Sequence, residues 1–338
     1  MRKVKTYLGI LVIVLALLLA LEAIAYAYLS AKNKAQPFLI NTTLLQQKYH
    51  QELKGFGYAL VDPLLGWGYT AEALEHLHLT TEGNCLVLPS LLHQATPLRV
   101  LITGGSTTDV GLKASNWPTE LQRMLADSGI CATLYIGAVG GYSSGQEVLK
   151  VIRDGVGLQP DVHISYSGAN EFISPAYVSR QEQTFYRQAF GGTSRRWLMP
   201  NLMAVLRSGG SSATAGLELY EEPKKDPADN WVKNMRLLQG IAAANHYVFI
   251  GILQPLLATA QYHQPEVEQR NERYVKANQA FYPMLKNHAD TTVYLRNWTA
   301  VFDTASGSVF VDDCHLTDSY QSTIARQVYL LLKAQANR

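Results

Sequence analysis

The chain has 338 residues, of which 47% are hydrophobic, and a formal net charge of +2 at pH 7. Its basic and acidic residues are interspersed, so the charge pattern gives no reason to expect nucleic-acid binding. The length is enough for one large domain or two small ones with a substantial core. Three cysteines (Cys85, Cys131 and Cys314) leave at least one thiol unpaired. Their spacing matches no zinc motif, so no metal is predicted.

The N-terminal segment differs from the rest of the chain. It begins with a basic cluster, and an apolar run then continues to Ala31 with Glu22 as its only charged residue. About 20 apolar residues are needed to cross a bilayer as a helix. Residues 1–32 are therefore predicted to be a single-pass membrane anchor or an uncleaved signal, spanning about residues 7–29. The basic start predicts that everything after it is periplasmic or extracellular.

A cleaved signal peptide is the alternative for this segment, because a small-x-small pattern would allow cleavage after Ala27. Either route exports the remainder of the chain. Residues 33–97 are mixed in pattern and are interpreted as a stalk and an N-terminal extension packed on the main domain.

From residue 98 onward, short apolar runs alternate with helical stretches. The predicted strands are 98–103, 133–139, 162–167, 247–253 and 292–295. The predicted helices are 118–127, 144–156, 231–244, 267–287 and 319–336. This alternation favours an α/β fold with a mainly parallel, five-stranded sheet. Within this main domain, 98–338, the segment 191–230 has little periodicity and is predicted to be a flexible insertion.

Polar segments follow the predicted strands, where ligands bind in open α/β sheets. They are Gly104-Gly105-Ser106 after the first strand, Gly140-Gly141 after the second and Gly168-Ala169-Asn170-Glu171 after the third. A late loop before the last helix holds Asp312-Asp313-Cys314-His315. Each pattern is short and occurs by chance, but four in this order are informative.

These four segments resemble, in order, the four sequence blocks of the SGNH (GDSL-like) hydrolase superfamily. The resemblance covers about Val100 to the C-terminus. It implies a flavodoxin-like three-layer α/β/α sandwich and a serine esterase without metal or nucleotide cofactor. By the same resemblance Ser106, Asp312 and His315 are catalytic, and the oxyanion hole consists of the backbone N–H groups of Ser106 and Gly141 and the side-chain amide of Asn170.

The chemistry requires these residue types. A serine hydroxyl is a poor nucleophile until a nearby base takes its proton, and His315 is the candidate base for Ser106. Asp312 can hold the imidazole in the correct tautomer and stabilise the imidazolium. Two positions depart from the family: Ile136 stands where Asn is frequent, and Glu171 stands where Asp is usual. Both departures concern the bracing of loops.

Two other interpretations compete in this region. Gly141-Tyr142-Ser143-Ser144-Gly145 satisfies the nucleophile elbow of α/β-hydrolases, with Ser143 as the attacking residue. Gly104-Gly105 lacks the glycine spacing of a dinucleotide loop, so no nucleotide cofactor is predicted.

The remaining histidines are interpreted as ordinary surface residues: His50, His76, His78, His93, His163, His246, His263 and His288.

The sequence thus predicts an exported esterase that forms an acyl-enzyme at Ser106. Export implies contact with the cell envelope, and the expected substrate is an O-acetyl ester of an envelope glycan in a bacterium. The alternatives are a lipid esterase or thioesterase, a glycan O-acyltransferase with the same site, and a non-catalytic envelope assembly or glycan-binding protein.

Overall fold

The computed structural model describes residues 60–171 except 63, 70, 94–95 and 113–114, then 227–259 and 263–336, plus isolated helical positions between Leu17 and Ala27. Most of the predicted anchor and of the predicted insertion at 191–230 lies outside these residues. Within them, no helix combines the length and apolar character needed to span a membrane. The elements below all belong to one compact unit, Leu53–Arg180 with Glu222–Arg338.

The strands form a two-stranded hairpin and one large sheet. They are β1 Leu60–Asp62, β2 Gly66–Gly68, β3 Thr80–Glu82, β4 Cys85–Leu88, β5 Leu98–Gly104, β6 Ala132–Ile136, β7 Val162–Ser167, β8 Val248–Leu253 and β9 Leu295–Asn297. The large sheet has the order β3-β4-β6-β5-β7-β8-β9. Strands β6, β5, β7, β8 and β9 run parallel to one another, whereas β4 pairs antiparallel with both β3 and β6.

The prediction of five strands in the sheet is wrong, because the sheet has seven. The five predicted strands are the parallel ones, and the two additional strands are the β3–β4 hairpin. A turn at Gly83 and Asn84, both with positive φ (+54° and +55°), joins them. This hairpin lies inside the segment 33–97, so the sheet begins before residue 98.

The described helices are α1 Ala71–His76, α2 Trp117–Asp127, α3 Ser144–Lys150, α4 Pro227–Ala244, α5 Pro265–Arg270, α6 Glu272–Thr291 and α7 Asp318–Ala336. The helix predicted at 144–156 is α3 followed by a π-helical turn, Val151–Gly155, and a 3₁₀ turn, Val156–Leu158. The helix predicted at 267–287 is two helices, α5 and α6. They meet at Asn271, where φ is −115° and ψ is 19°.

Burial on both faces of the sheet explains the apolar strands. In β5, Val100 and Ile102 belong to the core that includes Leu121 of α2 and Ile324 of α7. Leu101 points the other way, into a core with α3, α4 and α6. Side chains alternate along a strand, so a run that is apolar throughout is buried on both faces. The result is an α/β/α arrangement of three layers, as the resemblance implies.

Candidate active site

The nucleophile loop begins where β5 ends. Ser106 follows that strand by two residues, and His315 lies in the loop before α7. Their side chains meet: Ser106 Oγ is 2.7 Å from His315 Nε2. On the other side of the imidazole, His315 Nδ1 is 2.7 Å from Asp312 Oδ2. The structure therefore places three residues that are up to 209 positions apart in one hydrogen-bonded chain.

The loop itself fixes Asp312. Its Oδ1 accepts the backbone N–H groups of Cys314 at 3.0 Å and His315 at 2.7 Å, leaving Oδ2 for the imidazole. Burial would raise the pKa of Asp312, but these hydrogen bonds and the nearby His315 lower it to about 2. Asp312 is therefore a carboxylate at neutral pH.

The neighbouring carboxyl group behaves in the opposite way. Burial, together with the charge of Asp312, raises the pKa of Asp313 to about 6. The imidazole contact is made by Asp312, the acid that the resemblance selects.

This chain of contacts sets the tautomer of the histidine. Asp312 is an acceptor, so His315 Nδ1 carries the hydrogen and donates it. His315 Nε2 is then free to accept the hydroxyl hydrogen of Ser106. A hydroxyl paired to an imidazole acceptor can lose its proton as it attacks, which is what a serine nucleophile requires.

Contacts of two predicted oxyanion residues, Asn170 and Gly141, are visible in the structure. The Asn170 side-chain amide donates to the Tyr142 carbonyl at 2.9 Å. A Cβ added at Gly105 would lie 2.6 Å from that amide nitrogen, so the nucleophile loop and Asn170 are in direct contact. Gly141 has a φ of +82°, and a Cβ there would lie 3.0 Å from the Trp67 ring. Glycine is thus needed at Gly141 for both conformation and space.

A buried aspartate that the sequence did not single out joins two of these loops. Asp109 is 2% exposed. Its Oδ2 accepts the Gly140 N–H at 2.8 Å, and its Oδ1 accepts the Gly111 N–H at 2.9 Å and the Tyr69 hydroxyl. Because Gly140 precedes Gly141, Asp109 positions the backbone that carries the predicted oxyanion donor. A lone aspartate in a loop has no spacing pattern that would identify it.

The N-terminal hairpin also contacts this loop. Trp67 donates its indole N–H to the Gly140 carbonyl at 2.8 Å. The Tyr142 hydroxyl donates in return to the Trp67 carbonyl at 2.5 Å. The segment 60–69 therefore forms one wall of the loop that contains Gly141.

Glu171, which stands where Asp is usual in the family that the sequence resembles, does brace its loop. It is 1% exposed and accepts the Ser144 N–H and the Ser144 hydroxyl, each at 2.8 Å. Burial raises the pKa of Glu171 to about 7, while the hydrogen bonds from Ser144 oppose the shift. Ile136, the other departure, is a core residue that is 1% exposed.

One histidine was misassigned. His163 is fully buried in β7 rather than at the surface, and its Nε2 lies 3.0 Å from Thr103 Oγ1. Burial lowers the pKa of His163 to about 3, so the ring is neutral. Glu147 shares this cluster and accepts hydrogen bonds from Thr103 and Ser165 at 2.6 Å each. Sequence patterns alone do not separate a buried strand histidine from an exposed one.

Within the described part of the chain, no hydrogen bond joins the hydroxyl of the rival nucleophile, Ser143, to a histidine. Ser143 is 1% exposed and is the N-cap residue of α3, where its N–H donates to the Gln146 side chain at 3.1 Å. His315 Nε2 is paired to Ser106. The geometry thus favours Ser106 over the nucleophile-elbow interpretation.

A small pocket opens beside the Ser106–His315 pair. The cavity measures about 20 Å³, close to the space of one water-sized group. Its lining consists of Ser106, Thr107, Asp109, Ser115, Asn116, Tyr166, His315, Leu316 and Gln321. Among the residues that the structure describes, these form a small recess next to the nucleophile.

Comparisons with known proteins give structural neighbours only. No family model matches the chain. No curated protein matches it either. Solved structures that are similar include the acetyl xylan esterase AlAXEase, at 15% identity and a TM-score of 0.44, covering 69% of this chain and 98% of that one.

Two further structures show the same level of similarity. A putative acylhydrolase from Bacteroides fragilis has 14% identity and a TM-score of 0.39, with 72% of this chain and 89% of that one covered. A GDSL-like lipase from Bacteroides thetaiotaomicron has 12% identity and a TM-score of 0.36, with 71% and 89% covered. The chain is thus similar to acetyl xylan esterases and to GDSL-like lipases and acylhydrolases, the class of hydrolase that its four sequence blocks resemble.

Proposed function

We propose that this protein is a serine esterase that cleaves short acyl esters through an acyl-enzyme at Ser106. The observation that carries the proposal is the continuous chain from Asp312 through His315 to Ser106, with 2.7 Å at each contact. Serine hydrolysis needs a nucleophile within reach of a base and a base oriented by an acid, and this geometry supplies both.

The reaction follows from the placement of each group. Ser106 Oγ attacks the ester carbonyl carbon while His315 Nε2 takes the hydroxyl proton, and Asp312 stabilises the resulting imidazolium. The Asn170 amide and the N–H groups of Ser106 and Gly141 receive the oxyanion. Collapse expels the alcohol, which takes the proton from His315. Water then attacks the acyl-enzyme with His315 again as base, releasing the acid and Ser106.

The size of the pocket supports a short acyl group. A cavity of about 20 Å³ has room for a methyl group. Together with the predicted export of the chain, this favours O-acetyl groups on a cell-envelope glycan as the substrate.

The nucleophile can be tested directly. The full-length chain in detergent should cleave an aryl acetate and be labelled by a fluorophosphonate at Ser106. Ser106→Ala should abolish both, whereas the matched control Ser143→Ala should retain most of the activity. Labelling at Ser143 would overturn the assignment.

The substrate is tested by comparison among esters. We expect kcat/KM to be higher for an acetyl than for an octanoyl aryl ester, and acetate to be released from an O-acetylated oligosaccharide. A preference for the octanoyl ester would contradict the acetyl proposal and leave the serine esterase intact.

We place the domain outside the cytoplasm, tethered through residues 7–29. The support is the apolar run behind a basic N-terminus. The protein should remain with membranes after a carbonate wash, and protease added to spheroplasts should degrade the domain. A mature N-terminus at Tyr28 would show that the segment is a cleaved signal peptide.

A further inference from the structure

Three side chains of the loop before α7 carry atoms that ligate transition metals. One ligand atom each from Asp312, Cys314 and His315 lies within 4.8 Å of the other two. Carboxylate, thiolate and imidazole are the ligands that zinc takes in proteins. Two of the three belong to the proposed catalytic chain, but the Cys314 side chain performs no step in the mechanism derived above.

We propose that this loop is an inhibitory zinc site, in which Zn²⁺ binds Asp312, Cys314 and His315 Nδ1 and disables the catalytic base. The inhibition of activity by zinc rests on the proposed esterase function, whereas the binding of zinc to the loop does not. The spacing of the three cysteines predicts no zinc motif, and this site differs from that prediction. All three ligands come from four consecutive residues, so spacing between distant cysteines gives no information about it.

The sulfur–nitrogen distance suits tetrahedral zinc. Zn–S and Zn–N bonds of about 2.3 Å and 2.0–2.1 Å at a tetrahedral angle place sulfur and nitrogen about 3.5 Å apart. Cys314 Sγ and His315 Nδ1 are 3.6 Å apart. The Asp312–His315 contact must lengthen from 2.7 Å to about 3.4 Å by the same geometry. The side chains are 35% and 24% exposed, which leaves room for that movement.

Binding would exchange a proton for the metal. Zn²⁺ takes the place of the thiol hydrogen of Cys314, and that one proton leaves to solvent. Zn²⁺ also takes the place of the hydrogen on His315 Nδ1, and a hydrogen on Nε2 keeps the imidazole neutral. Zn²⁺, a thiolate, a carboxylate and a neutral imidazole together carry no net charge, so the partly buried loop accepts them without an unpaired charge. Water or another oxygen ligand completes four-coordination.

The consequence for the base is a change of tautomer. A neutral imidazole that ligates through Nδ1 carries its hydrogen on Nε2. His315 Nε2 would then donate to Ser106 Oγ instead of accepting from it. The serine hydroxyl loses its base, and acylation stops until the metal leaves.

Direct binding tests the site without relying on activity. The Ser106→Ala chain in detergent is titrated with Zn²⁺ against a chromophoric chelator, and Co²⁺ is used to look for a thiolate charge-transfer band. We expect one strong site and a thiolate band. Cys314→Ser should remove the band and weaken zinc binding by about 10-fold or more. Loss of a residue that only hydrogen-bonds a metal ligand already lowers metal affinity by about that factor. Cys131→Ser, a matched buried cysteine, should change neither.

Activity tests the regulatory part. Zn²⁺ should inhibit aryl acetate hydrolysis, and EDTA should restore it. The Cys314→Ser variant should need about 10-fold more Zn²⁺ for the same fractional inhibition, where its activity is expressed relative to its own zinc-free rate. Equal zinc sensitivity in both chains, or a thiolate band that persists in Cys314→Ser, would overturn the site. Zinc binding to Cys314 without esterase activity in any form of the chain would overturn the esterase function and leave the metal site standing.

Discussion

The side-chain amide of Asn170 gives the sharpest test of the oxyanion hole. One of its N–H groups donates to the Tyr142 carbonyl at 2.9 Å, and the proposal assigns the other to the oxyanion. Asn170→Ala should lower kcat by about 10²–10³, or roughly 3–4 kcal/mol, with little change in KM, because the donor acts mainly in the transition state. The lost bond to Tyr142 should also lower the free energy of unfolding by about 1 kcal/mol.

The aspartate variant should be worse than the alanine variant. Asn170→Asp puts a carboxylate beside the Tyr142 carbonyl and beside the developing oxyanion, so a donor is replaced by a repelling charge. The assay is steady-state hydrolysis of an aryl acetate, with urea denaturation of each variant to measure stability.

A second buried asparagine, which is not one of the predicted oxyanion residues, provides the control. Asn234 is 5% exposed, and its amide donates to the Ser144 hydroxyl at 2.8 Å. Asn234→Ala should lose stability by about 1 kcal/mol or more while kcat stays near the wild-type value. If Asn170→Ala retains wild-type kcat, or if Asn234→Ala loses as much, the amide has no specific role at the oxyanion.

Three further predictions concern buried contacts. Asp109→Ala should lower the free energy of unfolding, measured by urea denaturation, by about 3 kcal/mol, because the buried donors that bind this carboxylate lose their acceptor. An unchanged urea midpoint would show that Asp109 does not hold these loops together. Gly105→Ala should reduce kcat about 10-fold or more without abolishing fluorophosphonate labelling, since the new Cβ meets the Asn170 amide at 2.6 Å. Glu171 has a pKa of about 7 in the folded protein, against an ordinary value of 4.5, so the native state holds more protons between these values. Wild-type stability should therefore fall as pH rises through that window. Stability measured across it should drop by about 3 kcal/mol relative to Glu171→Gln, and parallel curves would contradict the buried carboxyl.

Strands β5, β6, β7 and β8 were predictable because each is a short run that is largely buried on both faces, whereas β9 shares only Leu295 with the strand predicted at 292–295. The strand predicted at 162–167 is β7 with the same bounds, and α2 begins within one residue of its prediction. That helix has a strong start signal: Asn116 accepts the Thr119 N–H at 3.0 Å, and Pro118 follows in the first turn. Local chemistry sets these boundaries, so a single sequence contains them.

What was missed depends on contacts between distant segments. Strands β3 and β4 have three and four residues, too few to show a period, although Gly83-Asn84 is a turn signal typical of hairpins. Asp109 becomes recognisable only when Gly140 and Tyr69 are seen to converge on it. Burial of His163 likewise depends on the elements that cover β7.

The β3–β4 hairpin has a consequence for any shortened form of the protein. Leu86 of β4 pairs with Ile136 of β6, so the hairpin covers one edge of the parallel sheet. A chain that begins at Leu98 would keep all four sequence blocks but expose the backbone N–H and C=O groups of β6 as a free edge. Such edges recruit strands from other molecules. The part of the chain that carries every recognisable motif is therefore expected to aggregate on its own.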